Sequence, residues 1–436
     1  MIHAYELHGR YIVLDVESGA VLDVDSAAFS ALHTPPELHT AEQAEAWGEL
    51  MSLKAEGLLF TEPPLESGRD VYSLPQSRTD IRGGPPPLKA LCMHVSHDCN
   101  LRCGYCFAHT GDFGTGKRSV MPPEVAEKAV DYLLERCGGR ENLEIDFFGG
   151  EPLMAFDTVK HTVAYAKKRA PGKRFRFTLT TNGVLLDEET IAYLNAEMDN
   201  LVLSLDGRKD VNDACRGRTY DSLLPKYKRV IETRTGDYYV RGTYTNRNLD
   251  FAEDVLHLAS LGFRNISLEP AILPPGHPLA LGEGCLPALN AEYEKLCGLM
   301  ADGADFSFFH FNVDLEQGPC VYKRLRGCGA GVEYAAVTPE GDVFPCHQFA
   351  GREAYRLGSV LDGSFRDDLS ARFMSMNCSD REDCAVCRAK YFCGGGCAAA
   401  NLTVNGDIHK ADRLGCELAK KRLDCAIYLK SNQVCE

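Results

Sequence analysis

Three cysteines lie close together in the sequence, at a spacing that suits iron-sulfur chemistry. Cys99, Cys103 and Cys106 can each give a thiolate to one iron of a 4Fe-4S cluster, which leaves the fourth iron open for a small-molecule ligand. Zinc is the alternative, because His97 or His109 could complete a four-ligand site. We predict that the three thiols hold a 4Fe-4S cluster with one open iron.

A second group of cysteines lies towards the C-terminus. Its members are Cys328, Cys346, Cys384, Cys387, Cys393, Cys397 and Cys416, and they include a CxxC pair that suits zinc as well as iron. The chain holds 19 cysteines, and its first residues lack the basic and apolar segments of an export signal. In a reducing cytosol, this count favours metal ligation or catalysis over disulfides.

The net charge and the hydrophobic pattern of the chain indicate which partners and which cellular location to expect. The net charge of -15 opposes attraction to a phosphate backbone. No stretch approaches the roughly 20 apolar residues that a membrane-spanning helix needs. We expect a cytoplasmic protein that has neither nucleic acid nor a membrane as its partner.

Between residues 88 and 305, short apolar strands alternate with amphipathic helices. The predicted strands are 90–95, 144–148, 175–180, 201–205, 238–244 and 265–269. The predicted helices are 122–136, 156–169, 187–197, 221–233, 250–261 and 287–301. Six consecutive βα units predict a parallel sheet that closes into a partial barrel, with ligands at the carboxyl ends of its strands.

This region is flanked by two others, and 436 residues are too many for one compact core. Residues 4–24 predict a hairpin that turns at Glu17-Ser18-Gly19, and Asp25 and Thr40 are placed to cap two helices. Pro, Gly and Ser then form a linker up to about residue 88. We predict domains at 1–80, 89–305 and 306–436, the last rich in cysteine and glycine.

The first cysteine group resembles the cluster motif CxxxCxxC of radical S-adenosylmethionine (SAM) enzymes. Similar motifs follow the next three strands: Gly149-Gly150-Glu151-Pro152, Thr181-Asn182-Gly183 and Ser204-Leu205-Asp206-Gly207. The resemblance implies a partial (β/α)6 TIM barrel of the radical SAM type. It also implies a 5′-deoxyadenosyl radical, generated from SAM at the cluster, that takes hydrogen from an unreactive carbon. The implied SAM contacts are Tyr105, Gly149, Gly150, Glu151, Thr181, Asn182, Ser204, Asp206, Arg216 and Glu269.

The second cysteine group resembles the SPASM domain, which carries two auxiliary 4Fe-4S clusters and would bring the total to three. The resemblance implies that Cys328, Cys346 and Cys397, with Cys320 as the uncertain fourth ligand, hold the first auxiliary cluster. If Cys320 is displaced, that cluster has an open iron. The implied ligands of the second are Cys384, Cys387, Cys393 and Cys416. Cys378, just ahead of them, fits neither pattern.

The N-terminal module resembles the winged-helix-like RiPP recognition element, which captures the leader of a ribosomally made precursor peptide by strand addition. A domain that only shields the barrel or forms a dimer is the alternative. Residues 107–114 and 318–329 resemble maturases of SCIFF peptides (six cysteines in forty-five residues). Such enzymes join a cysteine sulfur to the α-carbon of another residue.

The implied activity is thioether formation in a cysteine-rich precursor peptide, with a flavodoxin or ferredoxin-type protein as reductant. The alternatives are an anaerobic sulfatase-maturase-like enzyme, or another radical SAM/SPASM enzyme that oxidises or cross-links a peptide. Sulfatase maturases place an Asp base directly after the cysteine that corresponds to Cys346, whereas this chain has His347 there. No base stands out, and His347 and Asp206 are weak candidates, followed by Glu269 and His310.

Overall fold

The computed structural model describes residues 1–63, 86–315, 327–378 and 381–434. The N-terminal module is a three-stranded antiparallel sheet with two helices on one face. Its elements are β1 (Ile2–Leu7), β2 (Arg10–Asp15), β3 (Val21–Val24), α1 (Ser26–His33) and α2 (Ala41–Ala55). The predicted caps are confirmed, since Asp25 caps α1 and Thr40 forms a capping box with Gln43.

The sequence predicts one hairpin in this module, whereas the structure has two. The predicted turn at Glu17-Ser18-Gly19 lies between β2 and β3. A further turn joins β1 to β2, where His8 and Gly9 adopt φ angles of 49° and 77°. Two successive positive φ angles are typical of a tight hairpin turn, and the His-Gly pair was its only sequence signal. Whether the module is winged-helix-like stays a prediction.

The central region is an α/β fold with a parallel sheet, as predicted. Its strands are β4 (Ala90–Ser96), β5 (Asn142–Gly149), β6 (Arg174–Thr181), β7 (Asn200–Ser204), β8 (Asp237–Tyr244), β9 (Asn265–Pro270) and β10 (Ser307–Phe308). Its helices are α3 (Pro123–Arg136), α4 (Phe156–Arg169), α5 (Glu188–Glu197), α6 (Lys209–Arg216), α7 (Tyr220–Thr233), α8 (Phe251–Ser260) and α9 (Leu286–Ala301). Every residue of β4 is buried, as expected for a strand covered on both faces.

The C-terminal region consists of short elements. They are β11 (Tyr334–Val337), β12 (Asp342–Phe344), β13 (Gly358–Ser359), α10 (Asp367–Met374), α11 (Glu382–Ala385), α12 (Lys390–Cys393), α13 (Ala398–Asn405) and α14 (Arg413–Val434). Short 3-10 helices lie at Pro36–Leu38, His109–Gly111, Pro152–Ala155, Glu283–Cys285, Phe309–Phe311, His347–Phe349 and Glu353–Tyr355. None of the helices in these described ranges is long and apolar enough to cross a membrane.

One sheet joins the central and C-terminal regions. β11 pairs in parallel with β4, so the strand order is β10-β9-β8-β7-β6-β5-β4-β11-β12-β13. The predicted boundary at residues 305 and 306 therefore crosses a continuous sheet. The central and C-terminal regions also contribute to the same hydrophobic core, whereas Val13, Ala28, Ala46 and Leu50 belong to a second core inside the N-terminal module.

The N-terminal module is attached to the C-terminal region by buried polar contacts. Lys390 Nζ lies 2.6 Å from Glu17 Oε1, and the two side chains are only 8% and 2% exposed. The Tyr391 hydroxyl donates to the same carboxylate at 2.8 Å. Both residues lie between Cys387 and Cys393 in the sequence, so the module rests directly on the second predicted auxiliary site.

Candidate active site

The carboxyl ends of β4 to β9 surround a cavity of about 280 Å³. Most of the predicted site residues line it, although they come from separate parts of the sequence. They are Cys99, Cys103, Cys106, Tyr105, Gly149, Gly150, Glu151, Thr181, Asn182, Ser204, Arg216, Glu269 and His347. The parallel sheet therefore brings the separate motifs to one place, as expected for the strand ends of such a fold.

The three cysteines of the first group lie around one space. Burial raises the pKa of Cys99, and it raises that of Cys103 to about 11, with a further increase from Cys106. Two N–H groups nonetheless point at the Cys99 sulfur, from the Leu101 backbone at 3.4 Å and the Asn182 amide at 3.7 Å. The raised pKa values of Cys99 and Cys103, together with the donors aimed at the Cys99 sulfur, fit a site where the charge of a metal holds the thiolates.

Cys99, Cys103 and Cys106 form part of a cavity wall and are not arranged around a single ion. Within the described ranges, no three His, Cys, Asp or Glu side chains are grouped so as to hold one metal ion. Cys99, Cys103 and Cys106 instead share the lining of a cavity that also reaches Gly149 and Gly150. The donor set and its arrangement therefore fit a cluster of several irons with space beside it for a ligand.

The two glycines after β5 are required by close approach of the backbone. A Cβ on Gly149 would lie 2.2 Å from the Ser96 carbonyl oxygen, and one on Gly150 would lie 2.1 Å from that of Asp98. Gly150 N–H donates to Ser96 O at 2.8 Å, and Glu151 N–H donates to Asp98 O at 2.9 Å. The motif thus fixes the start of the cysteine loop.

Glu151 connects three of the motifs. Its carboxylate accepts hydrogen bonds from the Thr181 hydroxyl and from the Asn182 backbone, both at 2.7 Å, and from Leu153 N–H at 3.1 Å. Burial raises its pKa to about 7 despite these donors. A buried carboxylate with this tendency to hold a proton is suited to meet a cationic ligand group, which would offset the cost of its charge.

Asp206 lies behind the cavity and is not among its lining residues. It accepts hydrogen bonds from the Tyr105 hydroxyl at 2.6 Å, from Arg216 Nε at 2.9 Å and from Thr243 N–H at 3.0 Å. The Asp206 carboxylate is fully buried, and its bonds hold Tyr105 and Arg216 in place. This geometry gives Asp206 a positioning role and offers little support for it as a base or a direct SAM contact.

Glu269 and His310 form a partly buried pair next to the cavity. His310 Nε2 lies 3.2 Å from Glu269 Oε2, and Arg241 lies 3.5 Å from Oε1. Burial would raise the pKa of Glu269, but the charges of His310 and Arg241 and the bond to His310 lower it well below its usual range. Glu269 lines the cavity as an anion, whereas His310 is not among the lining residues.

The C-terminal region completes the cavity wall. His347, which follows Cys346, lines the cavity together with Gln348. The His347 ring lies 5.0 Å from that of Phe148 and 5.5 Å from that of Phe107. Burial and the charge of Arg241 lower the pKa of His347 to about 4, so its imidazole is neutral at neutral pH.

Sequence reasoning missed Arg241 and Thr243, which line the cavity from β8. Their signal was their spacing, because polar residues two apart in a strand of a barrel point to the same side. Phe148 and Gln348 were also missed, and each lies next to a residue that was singled out.

The predicted auxiliary cysteines come together in two sets. Burial and the charges of Cys397 and Cys328 raise the pKa of Cys346, which places these three thiols near one another. Cys320, their predicted fourth partner, lies outside the described residues. Burial and the charges of Cys393, Cys384 and Cys387 raise the pKa of Cys416 to about 12.

Cys378 lies beside the second set. Burial and the charges of Cys384 and Cys393 raise its pKa to about 12. The thiol is fully buried. The cysteine spacing predicts no ligand role for Cys378, whereas the structure places Cys378 next to the predicted ligands Cys384 and Cys393.

The comparisons with known proteins agree with this arrangement. The radical SAM superfamily matches residues 93–256, and SPASM, described as an iron-sulfur cluster-binding domain, matches residues 328–389. This chain contains a radical SAM domain followed by a SPASM domain. These domains imply 4Fe-4S clusters and SAM as its cofactors.

Two relatives in sequence each cover nearly three quarters of this chain. The mycofactocin maturase MftC of Mycolicibacterium smegmatis is 26% identical over 332 residues, which are 74% of this chain and 80% of the relative. A cysteine-type anaerobic sulfatase-maturating enzyme of Clostridium perfringens is 25% identical over 354 residues, or 72% and 89% of the two chains.

Solved structures share the fold. The protein anSMEcpe with bound AdoMet superposes with a TM-score of 0.67 at 20% identity, covering 80% of this chain and all of its own (100%). Streptococcus suis SuiB bound to S-adenosylmethionine has a TM-score of 0.56 at 17% identity and covers 95% of this chain and 98% of its own. Because the SuiB match covers 95% of this chain, it extends into the N-terminal module of this chain.

Proposed function

We propose that this radical SAM enzyme modifies a cysteine-rich precursor peptide by joining a cysteine sulfur to the α-carbon of another residue. The observation that carries the proposal is the shared cavity, to which the radical SAM domain gives Cys99, Cys103 and Cys106 and the SPASM domain gives His347. A peptide thiol near Cys346 and the carbon to be attacked would therefore both be close to SAM. The named activities of the relatives, a maturase and a sulfatase-maturating enzyme, support a peptide as substrate.

The chain's own residues have three tasks in this scheme. Cys99, Cys103 and Cys106 would hold the cluster. Glu151 and Arg216 would bind the amino and carboxylate ends of the SAM methionine, and the rings of Phe107 and Phe148 would shield the site from water. A guanidinium suits a planar carboxylate, and the bond to Asp206 holds that of Arg216 in position. When bound, the cluster and SAM supply a 5′-deoxyadenosyl radical that takes a hydrogen atom from the α-carbon.

The balance of hydrogen atoms, protons and electrons in the reaction requires two further functions: a base that accepts a proton and a group that accepts an electron. Each new S–C bond removes two hydrogens from the peptide: one leaves the carbon as an atom, and the other leaves the thiol as a proton, with one electron left over. The SPASM cysteines fit clusters that accept single electrons. Two of the four candidate bases, His347 and Glu269, line the cavity. We assign the proton to His347, because its imidazole is neutral at neutral pH.

The N-terminal module supports a peptide substrate with a leader. β3 ends the strand order of the three-stranded sheet, and β2 is its neighbour on the other side. An edge strand can pair with an extended peptide through backbone hydrogen bonds. We propose that the leader binds there. The SCIFF-like substrate, the flavodoxin or ferredoxin-type reductant and the cytoplasmic location stay predictions.

A sulfatase-maturase-like oxidation is the second candidate, favoured by the Clostridium perfringens relative. The deciding experiment incubates the cysteine-rich peptide encoded beside this gene anaerobically with enzyme, SAM and reductant, followed by mass spectrometry. We expect a loss of two hydrogen atoms per ring, with the sulfur retained and no longer open to alkylation. A product whose remaining cysteines all react with an alkylating agent would refute the thioether assignment and favour an oxidation.

A further inference from the structure

A second and larger cavity adjoins the first. It measures about 520 Å³, within the range of roughly 300–1,000 Å³ that is typical of ligand pockets. One wall is the loop of residues 270–283 after β9, and the other runs from the end of α13 to the start of α14. We call it the interdomain groove, because the radical SAM domain forms one wall and the region after the SPASM match forms the other.

The interdomain groove shares part of its wall with the SAM cavity. Pro270, Ala271 and Ile272 line both spaces. This shared segment is held in place, since Ala271 N–H donates to Tyr244 O at 2.9 Å. A chain that left the SAM cavity over these three residues would enter the groove.

The far wall leads to the auxiliary cysteines. Asp412 and Gly415 line the groove, and Cys416 directly follows Gly415. The charge of Asp412 also acts on Cys397 of the first auxiliary set, which places the two side chains near each other. The groove thus runs from the SAM cavity along the SPASM side of the molecule.

The inner surface of the groove is suited to uncharged groups. Two of its polar side chains bond to their own wall: Asn405 donates to the carbonyls of Lys410 and Ala411 at 3.0 Å, and Asp412 accepts from Gly415 N–H at 3.2 Å. Its remaining surface includes the apolar side chains of Ile272, Leu273, Leu281, Leu414 and Leu418. A charged substrate side chain would lose water against these apolar side chains, whereas a small or apolar one would gain by burial.

Two charged side chains of the groove are largely exposed to solvent. Arg413 and Glu283 form a pair at 3.6 Å, with side chains that are 77% and 57% exposed. Such an exposed pair is screened by water and contributes little.

We infer that the interdomain groove binds an extended, uncharged stretch of the precursor peptide that flanks the residue being modified. The inference rests on the proposed function, because it takes the substrate to be a peptide. A cavity of about 280 Å³ that receives SAM leaves little room for residues on either side of the reacting one. The adjoining groove offers those residues an apolar path.

Two glycines in one wall allow a matched test. Gly282 lines the groove in an extended conformation, with φ -126° and ψ 171°, and a Cβ there would meet nothing within 4 Å. Gly284 also has open space around an added Cβ but does not line the groove. A side chain can therefore start at either position without a clash at its Cβ, and only at position 282 does it start from the groove wall.

The measurement uses the cluster-loaded enzyme and the cysteine-rich peptide encoded beside the gene. We expect G282W to raise the KM for this peptide by about tenfold or more, as for loss of one well-buried contact. G284W should match the wild type, and both variants should bind the isolated leader peptide normally and unfold at the wild-type temperature. A photoreactive benzoylphenylalanine at position 282, but not at 284, should cross-link to the part of the peptide after the leader.

Equal KM values for G282W and G284W, without cross-linking at position 282, would overturn the groove assignment and leave the proposed function intact. A wild-type enzyme that neither binds nor modifies the peptide would refute the proposed function and the groove assignment together.

Discussion

Cys99, Cys103 and Cys106 line the SAM cavity, and their joint replacement by alanine tests the centre of the site. We expect the triple variant to lose 5′-deoxyadenosine formation, because no thiolates remain to hold the cluster, while leader-peptide binding persists. Anaerobic chromatography of the nucleoside product is the measurement. Cys285→Ala is the matched control, since Cys285 lies outside the cavity lining and should keep full activity. Nucleoside formation by the triple variant would contradict the assignment.

Glu151 should make stability depend on pH. Its pKa is about 7 in the folded protein and 4.5 when unperturbed, so the folded state binds the extra proton between these values. The free energy of unfolding should therefore fall as pH rises from about 4.5 to about 7, by about 3 kcal/mol from this group. Urea unfolding without SAM should show that Glu151→Gln removes this part of the slope. An unchanged slope would mean that the Glu151 carboxyl is solvated.

At the scale of elements, the turn after β5 packs closely against the loop after β4, where Gly150 contacts Asp98. We expect Gly150→Ala to destabilise the protein by about 2 kcal/mol or more and to impair iron retention, because the added Cβ would lie 2.1 Å from Asp98 O. Gly139→Ala is the control, since its Cβ would meet nothing within 4 Å. Chemical unfolding and iron content measure the effect. Normal iron content in Gly150→Ala would show that the cysteine loop can move aside.

The long elements were predictable because their hydrophobic periods are clear. The six predicted strands of the barrel differ from the observed ones by at most two residues at either end, and α4 was predicted without error. The short strands β11 to β13 were not predicted, since two to four residues are too few to show alternation. Pairing of β11 with β4 depends on contacts far apart in the sequence, which no local pattern reveals.

The residues of the candidate active site were predictable where they belong to a sequence motif. The glycine and cysteine motifs named most of the cavity lining, whereas Arg241 and Thr243 belong to no motif and reach the cavity only through the register of β8. The role of Asp206 was also hidden, because its partner Tyr105 is 101 residues away in the sequence.

At the scale of the whole molecule, metal content tests the three proposed clusters together. We expect about 12 iron atoms per chain, and about eight after joint replacement of Cys384 and Cys416 by alanine, since one cluster loses two ligands. Iron and acid-labile sulfide analysis give the numbers. Cys137→Ala is the control, because that buried thiol donates to Leu134 O at 3.2 Å and belongs to neither set. About four iron atoms in the wild type would refute both auxiliary clusters.

The parallel pairing of β11 with β4 has a consequence for engineering. β4 leads into the loop of Cys99, and the chain from β11 and β12 leads to Cys346, so backbone hydrogen bonds fix the spacing between the two sites. A chimera that takes its SPASM domain from a relative must preserve this register. A graft joined at residue 305 would otherwise leave β4 as an open sheet edge, prone to pair with another chain. The natural unit of exchange is the whole ten-stranded sheet.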